Sequence, residues 1–341
     1  MLSSDYLLSP YSISSAAVLQ ALFHGRTAAE VDAELRLVQS KMAESSSQFL
    51  PAQQLLVQKG LAVKQFCHFR YTCSVGRVDF ARYFKVNDVL QYWVSEQTKG
   101  RIDNAVIGYF PRGTRMVLLD VVYFKGLWKK SFPVSLTQKA YFYTNCNDEP
   151  FPVCQAFPVD MMDFGAPVKL PYYESADLQA LALPFNSSSQ EELIIILPKN
   201  ANAKLFAQRS FSAMMAEVVW GLTEEEVEVQ LPKWKVETHQ IHLEKPLQML
   251  GLKDAFTNQA DFSNIFAKDS GAFINEFRHM ASFEVTEEGA EAAAASGLVM
   301  KRNAVLPMGG SNTKVFRADR PFLYCYVVNR AALIFAGIFD G

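Results

Sequence analysis

Strand-like segments fill the last two-thirds of the sequence, and this pattern constrains the fold more than any other feature. From Arg115 onward, six segments are rich in Val, Ile, Phe and Tyr: residues 116–124, 178–184, 193–197, 227–236, 273–285 and 322–339. The stretch from Val227 to Leu231 alternates apolar and polar side chains, as a half-buried strand does. The longest apolar runs, 193–197 and 322–328, have the length of strands and are too short to cross a bilayer. The pattern therefore predicts a β-rich protein without a membrane segment.

The first hundred residues carry helix signals instead. N-cap signals at Ser9 and Thr27 each predict a helix. A third and clearer helix has apolar residues at helical spacing from Val86 to Val94 and ends at Gly100. Two shorter helices and a polar surface loop are predicted near 211–222, 243–251 and 38–50. Because helices come first and strands follow, without a repeat or linker, the sequence predicts one α+β domain, residues 1–341.

Composition and charge exclude several classes of function. Half of the 341 residues are apolar and 13% are aromatic, so the chain is not disordered and can bury a sizeable core. The 33 basic and 35 acidic residues give a net charge of −2, which leaves no basic excess for binding nucleic acid. The short motifs of hydrolases, metalloproteases and nucleotide-binding enzymes are missing from the sequence. We therefore expect no enzyme activity, no cofactor and no metal; His239 and His242 are interpreted as a strand end that enters a turn.

The cysteines and one glycosylation triplet bear on the compartment. Five cysteines are too few for a disulfide scaffold and lack zinc-binding spacing, so we expect buried free thiols at Cys67, Cys73, Cys146, Cys154 and Cys325. The sequence starts without the basic and apolar regions of a secretory signal. A glycosylation triplet at Asn186 is compatible with secretion, although such triplets also arise by chance. Cytoplasmic and extracellular locations both stay open.

The most informative segment runs from Glu287 to Asn303 and contains four consecutive alanines. An alanine run favours a helix by propensity. This run nevertheless follows a β-rich stretch, is bracketed by Gly289 and Gly297, and precedes a long stretch with a Gly-Gly pair. A segment of small residues that ends in a basic pair, here at 301–302, is typical of an exposed protease cleavage site.

Together with other motifs, this segment resembles the serpin family. The hinge pattern Glu-Glu-Gly-x-Glu-Ala-Ala-Ala occupies 287–294, and the family's C-terminal signature occupies 316–323, with Pro321 and Phe322. Further matches follow the family's order from about Ser9 to the C-terminus: Leu-Ser-Pro-Tyr-Ser-Ile at 8–13, Thr-Lys-Gly-Arg-Ile at 98–102, Tyr-Phe-Lys-Gly-Leu-Trp at 123–128, Leu-Pro-Lys-Trp-Lys-Val at 231–236 and Leu-Gly-Leu-Lys-Asp-Ala-Phe at 250–256. Each match alone is weak, but together and in order they are specific.

The resemblance implies an α+β fold of three β-sheets with surrounding helices. It also implies an exposed reactive loop at about 287–314. The family's N-terminal helix and part of its helix C/D region are missing or shortened in this sequence. A minimal serpin, a truncated isoform and an incomplete gene model are the alternatives.

The resemblance further implies a function, the suicide-substrate inhibition of a protease. The protease cleaves the reactive loop, stays attached as an acyl-enzyme, and is displaced when the cleaved loop inserts into the central sheet as a new strand. The expected partner is a trypsin-like serine protease, held in a covalent complex by a monomeric inhibitor. The resemblance also favours an extracellular location, with the cytoplasm as the alternative. The alternative is a non-inhibitory serpin with a carrier, chaperone or storage role, or an inactive truncated isoform.

The residues of the hinge agree with that mechanism. They are Glu288, Gly289, Ala290, Glu291, Ala292, Ala293, Ala294 and Ala295. Every second side chain of an inserting strand enters the buried side of the sheet, which selects Ala290, Ala292, Ala294, Ser296, Leu298 and Met300. None of these is charged or proline, and the last two would each contribute about 1.5–3 kcal/mol by burial. The pattern favours an inhibitory serpin, although Ala290 stands where the family usually has Thr or Ser.

Three bonds are candidates for the cleavage site. The family's spacing from Gly289 puts the specificity residue at Asn303, and Lys301 and Arg302 directly precede it. Because trypsin-like pockets carry a carboxylate that pairs with Arg or Lys, Arg302–Asn303 is the preferred bond. Lys301–Arg302 and Asn303–Ala304 are the alternatives, and Asn303 as the specificity residue would indicate a legumain-like cysteine protease.

A gate beneath the central sheet is implied by matches at Ser9, Ser12 and His279. The family's asparagine that pairs with this histidine corresponds to Asp120 here. Since a carboxylate beside an imidazole favours the charged form of the imidazole, we expect this gate to be sensitive to pH. Trp128 matches the tryptophan at the top of the sheet, where the loop enters first.

Overall fold

A computed structural model provides the structure of the chain. It describes residues 6–8, 48–64, 74–102, 108–144, 146, 154–187, 190–200, 206, 208–249, 253–262, 265–266, 271–288 and 313–341. Over this part of the chain, strands outnumber helices and form two hydrogen-bonded sheets.

The described residues form fifteen strands and three α-helices. The strands are β1 (Tyr6–Leu8), β2 (Gln48–Gln58), β3 (Ser74–Val78), β4 (Met116–Lys125), β5 (Gln138–Thr144), β6 (Gln155–Asp163), β7 (Val168–Glu174), β8 (Leu178–Pro184), β9 (Glu191–Pro198), β10 (Thr223–Pro232), β11 (Trp234–His242), β12 (Glu276–Val285), β13 (Lys314–Arg317), β14 (Phe322–Val328) and β15 (Ala332–Phe339). The helices are α1 (Tyr83–Gln97), α2 (Phe211–Gly221) and α3 (Glu244–Met249), with 3₁₀ turns at Phe80–Arg82, Val134–Leu136 and Asp254–Phe256.

The smaller sheet has five strands in the order β11-β12-β4-β2-β3. The pair of β4 and β12 is parallel, and so is the pair of β2 and β3 at one edge. β11 runs antiparallel to β12, and β2 runs antiparallel to β4. Both strands of the β4–β12 pair are buried nearly throughout, which explains why the sequence of β4 is an almost continuous apolar run. β12 is buried to the same extent but also carries polar side chains, among them Arg278 and His279. We call the parallel pair of β4 and β12 the seam.

The larger sheet has ten strands, in the order β1-β15-β14-β9-β8-β7-β10-β6-β5 with β13 also paired to β10. β7 and β6 lie end to end along one edge of β10, because residues 223–227 pair with β7 and residues 230–232 pair with β6. The parallel strand β13 pairs with the other edge of β10. β10 therefore joins two parts of this sheet. One part contains β5, β6 and β13, and the other contains β7, β8, β9, β14, β15 and β1. These two parts and the five-stranded sheet correspond to the three sheets that the family fold implies.

The main hydrophobic core lies between the two sheets. One face of the seam contributes Val122, Phe124, Ala281 and Phe283, which pack against aromatic side chains of the larger sheet such as Tyr324. The opposite face of the seam packs on α1. α2 covers the outer face of the larger sheet. The five-stranded sheet is therefore covered on both faces.

Most of the strand predictions are confirmed. The predicted segment 178–184 is β8, and 116–124 is β4 without its last residue. The predicted segment 227–236 is two strands in different sheets, because the chain leaves one sheet at Pro232 and enters the other at Trp234. The third predicted helix is α1, and the two short ones are α2 and α3. The two earliest predicted helices lie outside the described residues.

Two sequence predictions are wrong. The proposed surface loop 38–50 overlaps β2, which begins at Gln48. The expectation of free thiols fails for Cys146 and Cys154, which form a disulfide across a sequence separation of 8 residues. Cys325 is a free and buried thiol, as expected. Cys67 and Cys73 lie outside the described residues.

Neither a helix suited to span a membrane nor a metal-binding group of side chains is found in the part of the chain that the structure describes. No helix there combines the length and the apolar character that a membrane span requires. The same residues contain no group of three or more His, Cys, Asp or Glu side chains placed to hold a metal ion.

Candidate functional site

The candidate site is the seam, together with the chain that leaves its upper end. The register of the parallel pair runs from Glu276 opposite Val117 to Glu284 opposite Lys125. The described part of the chain continues past β12 to Glu288, and the hinge follows from there. Side chains connect the two strands at the centre, at the upper end and at the lower end of the seam.

At the centre of the seam, His279 lies directly opposite Asp120 and both side chains are fully buried. His279 Nδ1 is 2.6 Å from Asp120 Oδ2. Gln53 Nε2, from β2, donates a hydrogen bond of 2.9 Å to the other carboxylate oxygen. Because an ionised carboxylate only accepts hydrogen bonds, Nδ1 carries a proton in this arrangement. The predicted pairing of Asp120 with His279 is therefore present, while Ser9 and Ser12 lie outside the described residues.

A second link lies on the opposite face of the seam, towards α1. Tyr123 donates a hydrogen bond of 3.1 Å from its hydroxyl to Glu284 Oε2 on β12. Burial raises the pKa of Tyr123 to about 12, and the charge of Glu284 adds to this effect. The guanidinium of Arg101, just after α1, lies 5.9 Å from the centre of the tyrosine ring. This link connects β4, β12 and the chain that follows α1.

Trp128 holds the upper end of the seam. Its indole Nε1 donates to the carbonyl of Thr286 at 2.7 Å, and its backbone N–H donates to the carbonyl of Glu288 at 3.1 Å. The indole stacks on Phe185 with ring centres 4.6 Å apart. Gly126 permits this stacking, because a Cβ on residue 126 would lie 2.0 Å from the Phe185 ring. Trp128 thus holds residues 286 and 288, where the chain leaves β12.

Two glutamates next to Trp128 are paired with lysines, one in β4 and one between β10 and β11. Glu287 is nearly buried and accepts from Lys233 Nζ at 2.9 Å and from Thr137 Oγ1 at 2.9 Å. Burial, the largest single influence, raises the pKa of Glu287, but the hydrogen bonds from Lys233, the backbone and Thr137 together lower it below its usual value. The more exposed Glu288 lies 3.0 Å from Lys125 Nζ. The chain therefore leaves β12 through a charged and hydrogen-bonded segment, residues 287–288.

The lower end of the seam is held by Asn275 and Arg278. Asn275 Oδ1 accepts from the backbone N–H groups of Arg115 and Met116, and its own N–H donates to the carbonyl of Met116. Arg278 is almost fully buried and contacts the segment between α1 and β4. Its Nη2 donates to the carbonyl of Tyr109 at 3.1 Å. We call this set of contacts the lower clasp.

Arg278 also lies over an aromatic ring and is paired with a carboxylate. Its guanidinium carbon is 4.2 Å from the centre of the Phe110 ring, and Nε donates to Glu276 Oε2 at 2.6 Å. Burial lowers the pKa of Arg278, whereas the charge of Glu276 opposes that shift. A buried guanidinium with this many contacts ties residues 109–110 to β12.

Sequence reasoning missed several residues of the site. Gln53, Lys233 and the lower clasp carry no motif, and only the strand register brings them to the seam. These residues could have been found only by knowing which positions of neighbouring strands lie opposite one another. The sequence alone does not set that register for buried strands. Of the predicted hinge residues, the structure describes Glu288; positions 289–295 and the candidate cleavage residues Lys301, Arg302 and Asn303 lie outside the described part.

Comparisons with known proteins agree with this architecture. The profile of the family Serpin (serine protease inhibitor) matches residues 3–340. Intracellular coagulation inhibitor 2 of Tachypleus tridentatus is 28% identical, over 97% of this chain and 84% of that protein. An uncharacterized serpin-like protein of Thermococcus kodakarensis is 30% identical, over 98% of this chain and 80% of that protein. Human plasminogen activator inhibitor 2 is 28% identical, over 89% of this chain and 73% of that protein.

Solved structures share the fold as well. The crystal structure of Serpin48 from the insect Tenebrio molitor has a TM-score of 0.81 and 25% identity, covering 98% of this chain and 91% of that one. Uncleaved ovalbumin has a TM-score of 0.77 at 22% identity, covering 98% of this chain and 92% of that one. The family match, the relatives and the fold lead to one conclusion. The chain belongs to the serpin family.

Proposed function

We propose that this chain is a suicide-substrate inhibitor of a trypsin-like serine protease. The observation that carries the proposal is the seam, a parallel strand pair with the hinge at its upper end. Related proteins that are named as a coagulation inhibitor, a plasminogen activator inhibitor and a leukocyte elastase inhibitor support the class of activity. The trypsin-like target and the insertion mechanism are the parts that we propose for this chain.

The direction of the strands supports insertion at the seam. β12 runs parallel to β4, so a chain that turns back after β12 runs antiparallel to both. A strand inserted there replaces one parallel ladder with two antiparallel ladders. Antiparallel pairing is slightly more stable per residue, and the backbone groups of the loop gain partners that they lack in solvent. The seam can therefore release free energy when the loop enters it.

The side chains around the seam fit the loop sequence. The face of the seam that packs on the larger sheet is lined by Val122, Phe124 and Phe283, which are fully buried. Small residues at alternate loop positions, beginning with Ala290, can pass over these side chains without displacing them. Met300, near the end of the inserting stretch, would add apolar burial of about 1.5–3 kcal/mol.

The proposed reaction begins as ordinary proteolysis at Arg302–Asn303. The serine oxygen of the protease attacks the carbonyl carbon of Arg302, and the peptide bond breaks. An ester joins the protease to Arg302, and the proton of the serine hydroxyl passes to the new amino group of Asn303. Insertion of the loop then moves the attached protease away before water can hydrolyse the ester.

The test is complex formation with trypsin on a denaturing gel. We expect a complex that survives SDS and contains the chain up to Arg302, with a released C-terminal peptide that begins at Asn303. Ala294→Arg, which places a charge on the inward face, should convert the inhibitor into a substrate. Ala293→Arg is the matched control, because its side chain would face outward and should leave the complex intact.

Other outcomes of this experiment are equally informative. Cleavage of the wild-type loop without a complex would contradict the inhibitor proposal and favour the non-inhibitory alternative. A released peptide that begins at none of Arg302, Asn303 and Ala304 would reject every candidate bond. Equal behaviour of the variants at 293 and 294 would contradict insertion as a strand with alternating faces.

A further inference from the structure

Asn186, the first residue of the glycosylation triplet, lies on the surface shortly after β8. Asn186 is exposed, and the residue before it, Phe185, is buried. Backbone hydrogen bonds hold residues 185 and 186, from Phe185 N–H to the carbonyl of Glu191 at 2.9 Å and from Asn186 N–H to the carbonyl of Leu127 at 2.8 Å. The backbone is thus fixed while Asn186 is accessible. N-glycosylation requires an accessible asparagine within an Asn-x-Ser sequence, and Asn186 meets both conditions.

The disulfide provides a second and independent observation. Cys146 and Cys154 are joined next to the β5–β6 pair, where Thr144 lies opposite Gln155. Disulfides form and persist in oxidising compartments and are rare in the reducing cytosol. The oxidising compartment of a eukaryotic cell is also the one in which N-glycans are transferred. The disulfide and the triplet therefore indicate the same environment through different chemistry.

We propose that Asn186 accepts an N-linked glycan in the compartment that oxidises Cys146 and Cys154. The donor is a glycan carried on a lipid pyrophosphate. Its C1–O bond to the pyrophosphate breaks, a bond from C1 to Asn186 Nδ2 forms, and the amide proton leaves with the pyrophosphate. Oxidation of the two thiols passes two electrons and two protons to a disulfide-bonded oxidoreductase, which is reduced to a dithiol.

The acceptor lies beside the upper end of the seam. Phe185, the neighbour of Asn186, stacks on Trp128, and these two residues also form an isolated β-bridge. Asn186 itself bonds to the residue before Trp128. Because Asn186 is exposed, a glycan attached there extends into solvent without displacing the Trp128–Phe185 pair. The glycan therefore marks the entrance of the seam and leaves its packing unchanged.

The test uses the full chain, isolated from its own cells or expressed behind a secretion leader in cells that glycosylate. Treatment with peptide N-glycosidase should increase its gel mobility and convert Asn186 to Asp, as peptide mass spectrometry would detect. Asn186→Gln and Ser188→Ala should lack the mobility shift. Ser188→Thr is the matched control, because it preserves the triplet and should retain the shift.

Peptide mapping without reduction tests the disulfide in the same samples. We expect one linked species that contains Cys146 and Cys154, which separates on reduction. An unmodified Asn186 in the protein from its own cells would overturn the glycan proposal. Alkylation of both cysteines without prior reduction would overturn the oxidising compartment, whether or not the loop inhibits a protease.

Discussion

Asp120 is the residue of the seam whose burial is most costly without partners. Its carboxylate is fully buried, and it accepts from His279 Nδ1 and Gln53 Nε2. A buried carboxylate is tolerated only when its oxygens are hydrogen-bonded. The two partners come from β12 and β2, so this residue connects three adjacent strands at the level where the seam must open. The sensitivity to pH that we expect of the gate around His279 stays a prediction.

Removing the Asp120 carboxylate should be costly. Asp120→Ala leaves His279 and Gln53 without their acceptor, and breaking a buried pair typically costs about 3–5 kcal/mol. We expect a loss of this size in the free energy of unfolding of the intact protein, measured with guanidinium chloride. Asp120→Asn should cost much less, because the amide can accept from Gln53 while the histidine adopts its other tautomer. Equal losses in both variants would contradict this account of the buried carboxylate.

Glu287 should contribute stability that depends on pH. Its pKa is lowered in the folded protein, so its pairing with Lys233 stabilises the fold above the unfolded value near 4.3 and is lost as pH falls through the folded pKa. At pH 7, Glu287→Gln should cost about 1–2 kcal/mol, since Lys233 is partly exposed. The cost should fade as pH falls below the unfolded value of about 4.3 and through the lower folded pKa. Unfolding curves at several pH values test this.

The matched control for this prediction is Glu288→Gln. Glu288 pairs with Lys125 but is more than half exposed, so its loss should cost less than about 1 kcal/mol at any pH. A penalty for Glu287→Gln that stays constant from neutral to acidic pH would show that the carboxylate charge is not the source of the stabilisation.

Single residues of the site were predictable only where a motif marks them. Asp120, Trp128 and His279 were found through the family resemblance, and the structure places all three at the seam. Gln53 was not found, because its strand was not recognised. Lys233 was assigned to the middle of one long strand, so its ion pair with Glu287 had no basis in the sequence.

At the scale of elements, the strand β2 shows why some of the fold escapes prediction. Its sequence contains Pro51 and four glutamines, which are not among the β-branched and aromatic residues enriched in strands, and it lacks the alternation that predicted other strands. The structure resolves the conflict through position. β3 pairs with β2 from Gln54 onward, so Pro51 lies where β3 does not pair with β2, and proline is tolerated in a strand with an unpaired edge. Tertiary pairing with β4 thus overrides local propensity.

The lower clasp should resist opening of the seam. Arg278 fixes the segment after α1 to β12, and a strand that enters the seam must move β12 away from β4. Arg278→Met keeps an apolar side chain of similar length but loses the bonds to Tyr109 and Glu276. We expect the intact protein to lose about 2 kcal/mol of stability and to incorporate a synthetic peptide with the sequence of residues 289–302 faster, as measured on native gels.

Arg330→Met serves as the control for the lower clasp. Arg330 pairs with Glu192 in the larger sheet, away from the seam, and its substitution removes a comparable ion pair. It should leave the rate of peptide incorporation unchanged. If Arg278→Met and Arg330→Met behaved alike in this assay, the clasp would have no specific role in opening.

At the scale of the whole molecule, the arrangement of sheets sets what insertion can achieve. The seam is covered by α1 on one face and by the larger sheet on the other, so a new strand would be buried on both faces. The sequence predicted the class of fold because strand texture and family motifs extend along the chain. It did not predict that β10 joins two parts into one ten-stranded sheet, because that depends on pairing between strands far apart in sequence.

The intact molecule should be less stable than the same molecule cleaved in its loop. Cleavage at Arg302–Asn303 frees residues 289–302 to enter the seam. Each inter-strand hydrogen bond that forms there contributes about 1 kcal/mol, so the sum over a strand is large. The cleaved protein should therefore unfold at a higher guanidinium concentration than the intact protein, with the fragments still associated. Ala294→Arg, cleaved in the same way, should gain much less, because a charge on the inward face opposes burial. Identical unfolding midpoints for the intact and cleaved wild type would mean that the seam does not accept the loop.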